Sequence, residues 1–159
     1  MPSLSQMIET YLEGPPALRK AVAGMSREEL HARPVAGKWS TLEVVAHLAD
    51  FEPVFADRMK RIISHDNPLL MGADEVLFAA KLAYPERDLD EELTLIEMTR
   101  KQMARILRSL TPDALGRSGV HNERGLRTLQ QFLEGAIEHV NHHLPFIAEK
   151  KKALGLTPV

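Results

Sequence analysis

Four long segments of this sequence place apolar side chains at the three- and four-residue spacing of amphipathic α-helices. The spacing predicts long helices over about 3–23, 41–64, 89–110 and 128–152. Residues 65–87 and 111–127 carry prolines and glycines, so we interpret them as irregular connections, the first with a short helix near 73–82. No alternation typical of strands is evident. The pattern therefore predicts an all-α, four-helix bundle in a single domain over 1–159.

Polar capping motifs mark the starts of several predicted helices. In a capping box, a Ser or Thr is followed three residues later by Glu or Gln, and the two side chains satisfy backbone N–H groups at the helix start. Such boxes begin at three residues, Ser26, Ser40 and Thr128. Asp88 is the predicted cap of the third long helix. In the first helix, the Gly14-Pro15-Pro16 run is expected to cause a kink or a break.

Composition narrows the classes of function. The 159 residues include no cysteine, which excludes disulfides, thiolate metal sites and a cysteine nucleophile. Lys and Arg number 20 against 22 Asp and Glu, so nucleic-acid binding has no electrostatic support. The sequence has no apolar run long enough to span a membrane and no signal-peptide pattern at its first residues. We therefore expect a cytoplasmic protein that binds neither nucleic acid nor a membrane. The small-molecule substrate that we also expect rests on the histidines and the resemblance described below.

Three histidines fall in the last predicted helix, at positions 139, 142 and 143. With His139 set at 0°, a helix of about 100° per residue places the centre of the apolar face at about 85°. His143 then lies at about 40°, inside that face, His139 lies at its edge, and His142 lies at about −60°, towards solvent. His139 and His143 form an H-x-x-x-H pair whose spacing lets two imidazoles reach one cation. A pairing of His139 with His142 is sterically allowed but faces away from the core.

His47 adds a third imidazole on a second helix. It lies at the edge of the apolar face of the helix over 41–64, about two turns after the helix start. Two neighbouring helices of a bundle can bring His47, His139 and His143 together. Three imidazoles leave a coordination position open, which is typical of catalytic metal sites. The alternative interpretation is three partly buried histidines that pair with carbonyl or carboxylate groups.

Two carboxylates neighbour His47 on the same helix. The helical geometry places Glu43 and Asp50 beside His47, on the side away from the centre of the apolar face. We predict that Asp50 or Glu43 acts as the catalytic base, by accepting a proton from a ligand imidazole or by orienting a metal-bound water. Glu43 also has a capping role, and Asp50 can equally be solvated.

The residues assembled so far resemble the DinB-like superfamily of metal-binding four-helix proteins, which includes the YfiT-like hydrolases. Three segments, in their order and spacing, extend the likeness over nearly the whole chain. They are GKWSTLEVVAHLAD at 37–50, HNERGLRTL at 121–129 and EHVNHHLPFI at 138–147. The resemblance implies that the family's metal-ligating histidines correspond to His47, His139 and His143. It also implies zinc or nickel, with iron or manganese as alternatives, and a homodimer.

For the activity, the resemblance implies a metal-dependent hydrolase or a thiol S-transferase, since characterised relatives use bacillithiol, mycothiol or glutathione. Any thiol here would be a low-molecular-weight cofactor or the substrate, because the chain has no cysteine. The alternative function is a non-catalytic, dimeric bundle of a stress response, with a structural or vestigial metal site. Arg33, Lys38 and Arg124 are candidate anchors for an anionic substrate, although solvation is the preferred interpretation. For His121, an approach to the cleft is the alternative and exposure is the preferred interpretation. We expect Trp39 to pack at its helix start.

Overall fold

The structure, a computed structural model, describes residues 2–157. Its four long helices are α1 (Leu4–Val22), α3 (Thr41–Ser64), α5 (Leu89–Leu107) and α6 (Leu129–Ala153). The connections contain α2 (Arg27–His31), α4 (Glu75–Lys81) and two 3-10 turns, Tyr84–Glu86 and Pro112–Gly116. Both α1 and α3 pack mainly on α5 and α6, so α3 and α6 are neighbours. The predicted four-helix bundle is confirmed.

The capping motifs start the helices as predicted. The side chains of Ser26, Ser40 and Thr128 each accept a hydrogen bond from the backbone N–H three residues later, and each box is reciprocal. Asp88 accepts from two N–H groups at the start of α5. The span predicted for α3 is reproduced, whereas α5 ends at Leu107 rather than at residue 110. Local side-chain chemistry therefore determines where these helices begin.

A buried ion pair joins all four long helices. The guanidinium of Arg100 on α5 donates hydrogen bonds to Glu52 on α3 at 2.9 Å, to the carbonyl of Tyr11 on α1 at 2.8 Å and to the carbonyl of Ala136 on α6 at 2.6 Å. The Tyr11 hydroxyl donates to the second oxygen of Glu52 at 2.6 Å. A buried pair of this kind needs such additional hydrogen bonds, because the loss of solvation otherwise exceeds the attraction between the charges.

Gly14 makes room for this network. The helix α1 runs unbroken through Pro15 and Pro16, so the expected break does not occur. At position 14, a Cβ atom would collide with Nη1 of Arg100. The glycine in this motif therefore serves close packing of the buried guanidinium rather than the end of a helix.

A small sheet lies where the sequence predicts only connections. Strand β1 (Leu69–Leu70) pairs in parallel with β2 (Ser118–His121), and β2 pairs in antiparallel fashion with β3 (Gly125–Thr128). The prediction of no strands, with an irregular segment over 111–127, is wrong, because strands this short show too little alternation among glycines and prolines. Since β3 leads directly into α6, the sheet fixes the start of the helix that carries two of the predicted ligands.

Candidate metal centre

Three imidazoles converge between α3 and α6. One ring nitrogen of each of His47, His139 and His143 lies within 4.8 Å of the others. Nε2 of His47 is 2.8 Å from Nε2 of His139, and the three ring centroids are 4.7 to 5.0 Å apart. His142, on the same helix, is exposed. The structure thus brings together the three histidines selected from the sequence and leaves His142 on the surface.

Burial keeps the three imidazoles uncharged at neutral pH. It lowers the pKa of His47 to about 4, with a further decrease from His143. The pKa of His139 falls to about 3 through burial and through its neighbours, which include His47 and Arg100. Burial and nearby cationic groups lower the pKa of His143 to about 4. A neutral imidazole is the form that binds a metal ion, so the cluster needs no deprotonation before binding.

The hydrogen bonds of the cluster are incomplete within the protein. The Nδ1 atoms of His47, His139 and His143 are buried and have no hydrogen-bond partner in the described part of the chain. The alternative interpretation, in which these rings pair with carbonyl or carboxylate groups, is therefore not supported at Nδ1. A buried nitrogen without a partner is costly. Metal–nitrogen bonds of about 2.0–2.1 Å suit the Nε2 atoms of His47 and His139, which lie 2.8 Å apart. With the third imidazole adjacent, the donor set of the cluster fits a divalent cation.

Aromatic rings form the walls around the histidines. Trp39 and Phe51 flank His47 at centroid distances of 5.2 and 4.8 Å, and Phe55 lies 5.7 Å from His139. Trp39 also packs against the apolar core, as expected from its place before the helix cap. Apolar walls reduce the local dielectric constant and so strengthen electrostatic interactions within the site.

Glu43 and Asp50, the predicted bases, make their described contacts elsewhere. Glu43 accepts a hydrogen bond from the Ser40 N–H and forms an ion pair with Arg33. Asp50 accepts two hydrogen bonds from Arg87, both at 3.2 Å. Within residues 2–157, no hydrogen bond or ion pair joins either carboxylate to the three histidines. The role of Asp50 or Glu43 as base stays a prediction.

Glu75 is a carboxylate at the site that sequence reasoning missed. It is the first residue of α4, and its Oε2 lies 4.0 Å from Nε2 of His47, with a side chain 63% exposed. Phe78, on the same helix, packs 5.5 Å from Phe51 and so holds α4 against the site. No spacing along the chain connects Glu75 with the histidines, because only tertiary packing brings α4 to them.

Two clefts reach the histidine cluster. The larger cleft has a volume of about 570 Å³ and exposes His139; its lining also includes Phe55, Arg58, Arg124 and Arg127. The smaller cleft has a volume of about 200 Å³ and exposes His143; its lining also includes Lys38, Trp39, Phe146 and Lys150. The cluster is therefore accessible from two separate spaces, and the larger one has the size of a small-molecule site.

The other polar residues considered from the sequence lie at different places in the structure. Lys38 and Arg124 each line one of the clefts, whereas Arg33 is paired with Glu43. His121 is only 3% exposed, and its Nδ1 accepts a hydrogen bond from the backbone N–H of Glu123. The expectation that His121 is exposed is wrong, because its position at the end of β2 places it in the sheet.

A profile of the DinB superfamily matches residues 11–147. The chain belongs to the DinB superfamily. Relatives of this DinB protein carry provisional names as metal-dependent hydrolases. One from Oceanobacillus iheyensis is 28% identical over 144 residues, which cover 91% of this chain and 83% of the relative. YfiT from Bacillus subtilis is 26% identical over 149 residues, which cover 93% of this chain and 84% of YfiT.

The solved structure of YfiT, described as a probable metal-dependent hydrolase with an unusual four-helix bundle topology, has the same fold as this DinB protein. The two superpose with a TM-score of 0.89 at 25% identity, over 97% of this chain and 89% of the YfiT chain. The comparisons confirm the family and the fold predicted from the sequence. Together with the histidine cluster, they indicate a divalent metal as cofactor.

Proposed function

We propose that this DinB protein is an enzyme that uses a divalent metal, held by His47, His139 and His143, to act on a small molecule. The observation that carries the proposal is the convergence of three imidazoles, one buried and two half-buried, at a cluster that two separate clefts reach. A divalent cation at such a site lowers the pKa of a bound water or thiol and so supplies a nucleophile near neutral pH. The provisional names of the relatives support the same assignment.

The protein's own side chains would prepare the nucleophile. In this proposal Glu75 accepts the released proton, because its carboxylate approaches His47 from the solvent side and can pass the proton on to water. Trp39 and Phe51 limit the access of water to the histidines. The packing of Phe78 on Phe51 holds the helix of Glu75 in place.

For the metal, we propose zinc or nickel, with iron or manganese as alternatives. Imidazole nitrogen is a suitable ligand for zinc, nickel and iron. The absence of cysteine removes the thiolate ligands that would favour a closed structural zinc site.

Hydrolysis and thiol S-transfer are the two reactions that this site could support. Hydrolysis needs one organic substrate, whereas S-transfer needs a thiol and an electrophile. The two clefts on the histidine cluster favour S-transfer, since each could hold one reactant. The thiol would be a low-molecular-weight compound, because the chain has no cysteine.

As an assembly, we propose a homodimer that binds neither nucleic acid nor a membrane. The balance of 20 basic and 22 acidic side chains supports the exclusion of nucleic acid. Within residues 2–157, no helix combines the length and the apolar character that a membrane span requires. Light scattering during size-exclusion chromatography measures the mass directly, and a monomer mass at micromolar concentration would contradict the dimer.

The reaction is tested by incubating the metal-loaded protein with thiols and electrophiles. Bacillithiol, mycothiol and glutathione are each combined with a chlorobimane, and a set of nitrophenyl esters tests hydrolysis in parallel. We expect acceleration that is lost in chelated protein and in His143→Ala but kept in His65→Ala, a matched control at an exposed histidine that lines neither cleft. If metal-loaded protein accelerates none of these reactions beyond free metal, the enzymatic assignment fails and the non-catalytic bundle is favoured.

A further inference from the structure

The larger cleft beside His139, named here the arginine cleft, has a cationic lining that the proposed metal chemistry does not use. Its cations are Arg58 on α3, Arg124 in the turn between β2 and β3, and Arg127 on β3. His139 lines the same space, which measures about 570 Å³. A bound molecule could therefore contact the arginines and the histidine cluster together.

Arg58 is a buried cation without a carboxylate partner. Its side chain is only 7% exposed, and its Nε and Nη2 both donate to the carbonyl of Met71, at 3.1 and 2.7 Å. Burial lowers the pKa of Arg58, and nearby Arg124 lowers it further. Because a guanidinium stays charged at any accessible pH, this repulsion cannot be relieved by loss of a proton. An anion near Arg58 would relieve it.

Arg124 and Arg127 also lack acidic partners. Within residues 2–157, neither forms an ion pair or a hydrogen bond from its side chain. Arg117, just before the same hairpin, differs, since it pairs with Asp66 and donates to the carbonyls of Ile62 and His65. The hairpin thus holds two arginines that the fold itself does not engage.

Acidic side chains near the cleft do not neutralise these arginines by direct contact. Glu134 and Glu138 line the cleft, and Glu123 in the hairpin attracts Arg58 electrostatically. Glu134 accepts a hydrogen bond from Gln130 at 2.8 Å. Asp57 also attracts Arg58, although it is paired with Arg61. In the described part of the chain, none of these four carboxylates forms an ion pair with an arginine of the cleft. Three arginines therefore line the cleft without a carboxylate at ion-pair distance.

We propose that the arginine cleft binds the anionic group, a carboxylate or a phosphate, of the small-molecule substrate. Guanidinium groups match both anions through paired N–H donors in a fixed plane. An anion held by Arg58, Arg124 and Arg127 would leave the rest of its molecule against His139. The identity of this anion as the substrate rests on the proposed function, whereas anion binding itself does not.

The test is an NMR titration of the metal-free full-length protein with succinate and, separately, with inorganic phosphate. The titration follows the NMR signals of the Nε–Hε groups of the arginine side chains. We expect saturable binding of one anion per protein molecule. The anion that binds with the higher affinity shows whether the cleft prefers a carboxylate or a phosphate. Arg124→Gln and Arg127→Gln should each weaken it about tenfold, the loss of one charge-assisted hydrogen bond. Arg105→Gln, a matched loss of an exposed charge on α5, should leave the affinity unchanged.

The inference is overturned if the wild-type protein shows no saturable binding, or if the Arg124→Gln/Arg127→Gln double variant binds as tightly as Arg105→Gln. Its failure is distinguishable from that of the proposed function. If the protein binds anions but shows no metal-dependent activity, only the enzymatic assignment fails. If the double variant keeps metal-dependent activity on an anionic substrate and its KM equals that of Arg105→Gln, only the inference about the arginine cleft fails.

Discussion

Nε2 of His47 lies 2.8 Å from Nε2 of His139, although 92 positions separate the two residues in the chain. The contact arises because α3 and α6 are neighbours in the bundle and because each histidine projects towards the other helix. Two neutral imidazoles that meet through Nε2 can satisfy both nitrogens only with a shared proton or a bound cation. This pair, with His143 beside it, therefore defines the position at which a metal would bind.

Replacing Glu75 with Gln should lower kcat about 100-fold, the usual contribution of a general base. The amide keeps the shape of the side chain but cannot accept a proton. Metal affinity should change little, because Glu75 is not one of the three proposed ligands. The rate, measured with the most active thiol–electrophile pair, should stay at the wild-type value in Glu91→Gln, an exposed control on α5. A kcat in Glu75→Gln close to that of Glu91→Gln would assign the base elsewhere.

The metal-free protein should lose stability as the pH falls below neutrality. An unfolded histidine has a pKa of about 6.5, whereas the folded pKa is about 4 for His47 and His143 and about 3 for His139. Between these values the unfolded chain binds more protons than the native protein, so the free energy of unfolding decreases with decreasing pH. Urea unfolding midpoints from pH 7 to 4 measure the slope. His143→Ala should have a shallower slope, and an identical slope would show that this imidazole is not neutral in the folded state.

Gly14→Ala should destabilise the fold by about 1–3 kcal/mol, the range for overpacking. The added methyl group would collide with Nη1 of Arg100 and disturb its hydrogen bonds. Thermal unfolding of Gly116→Ala provides the comparison, because a Cβ at position 116 meets no atom within 4 Å. Equal unfolding temperatures for the two variants would show that α1 does not approach Arg100 as closely as described.

Asp50→Asn distinguishes a structural carboxylate from a catalytic base. The hydrogen bonds from Arg87 suggest a structural role, so the substitution should cost about 1–3 kcal/mol of stability, as expected for weakened hydrogen bonds to charged groups. Its effect on kcat should be small. A loss of activity as large as that expected for Glu75→Gln, with stability unchanged, would instead support the sequence-based prediction of Asp50 as base. Glu43→Gln weakens the ion pair with Arg33. A loss of stability with little change in kcat would likewise indicate a structural role for Glu43, and the reverse would indicate a base.

The helices and His143 could be predicted from the sequence because their signals are local, whereas the choice of His47 and His139 relied more on the resemblance to the DinB-like superfamily. The boxes at Ser40 and Thr128 position α3 and α6, and helical geometry alone separates His143 from His142. The sheet could not be predicted in this way, since its pairing joins residues near 69 to residues near 120. Glu75 reaches His47 only through the packing of α4, so no spacing along the chain reveals it.

The buried network of Arg100 and Glu52 shows the same limit. The helical pattern identifies both residues only as polar. In the structure they lie at the centre of the bundle and are almost fully buried. Their burial becomes favourable only when the carbonyls of Tyr11 and Ala136 complete the hydrogen bonds. Such partners come from different helices, which a single segment of sequence does not specify.

Metal titration of tag-free, chelated protein tests the central claim most directly. With Co(II) as a spectroscopic probe and Zn(II) as competitor, one equivalent should bind to the wild-type protein and to His142→Ala. Binding should weaken more than about 100-fold in His47→Ala, His139→Ala and His143→Ala, since loss of a ligand should exceed the 10–100-fold effect of an outer partner. Circular dichroism of each variant serves as the check that its helices are intact. No stoichiometric binding to the wild-type protein, or equal binding to His143→Ala and His142→Ala, would contradict the three-histidine site.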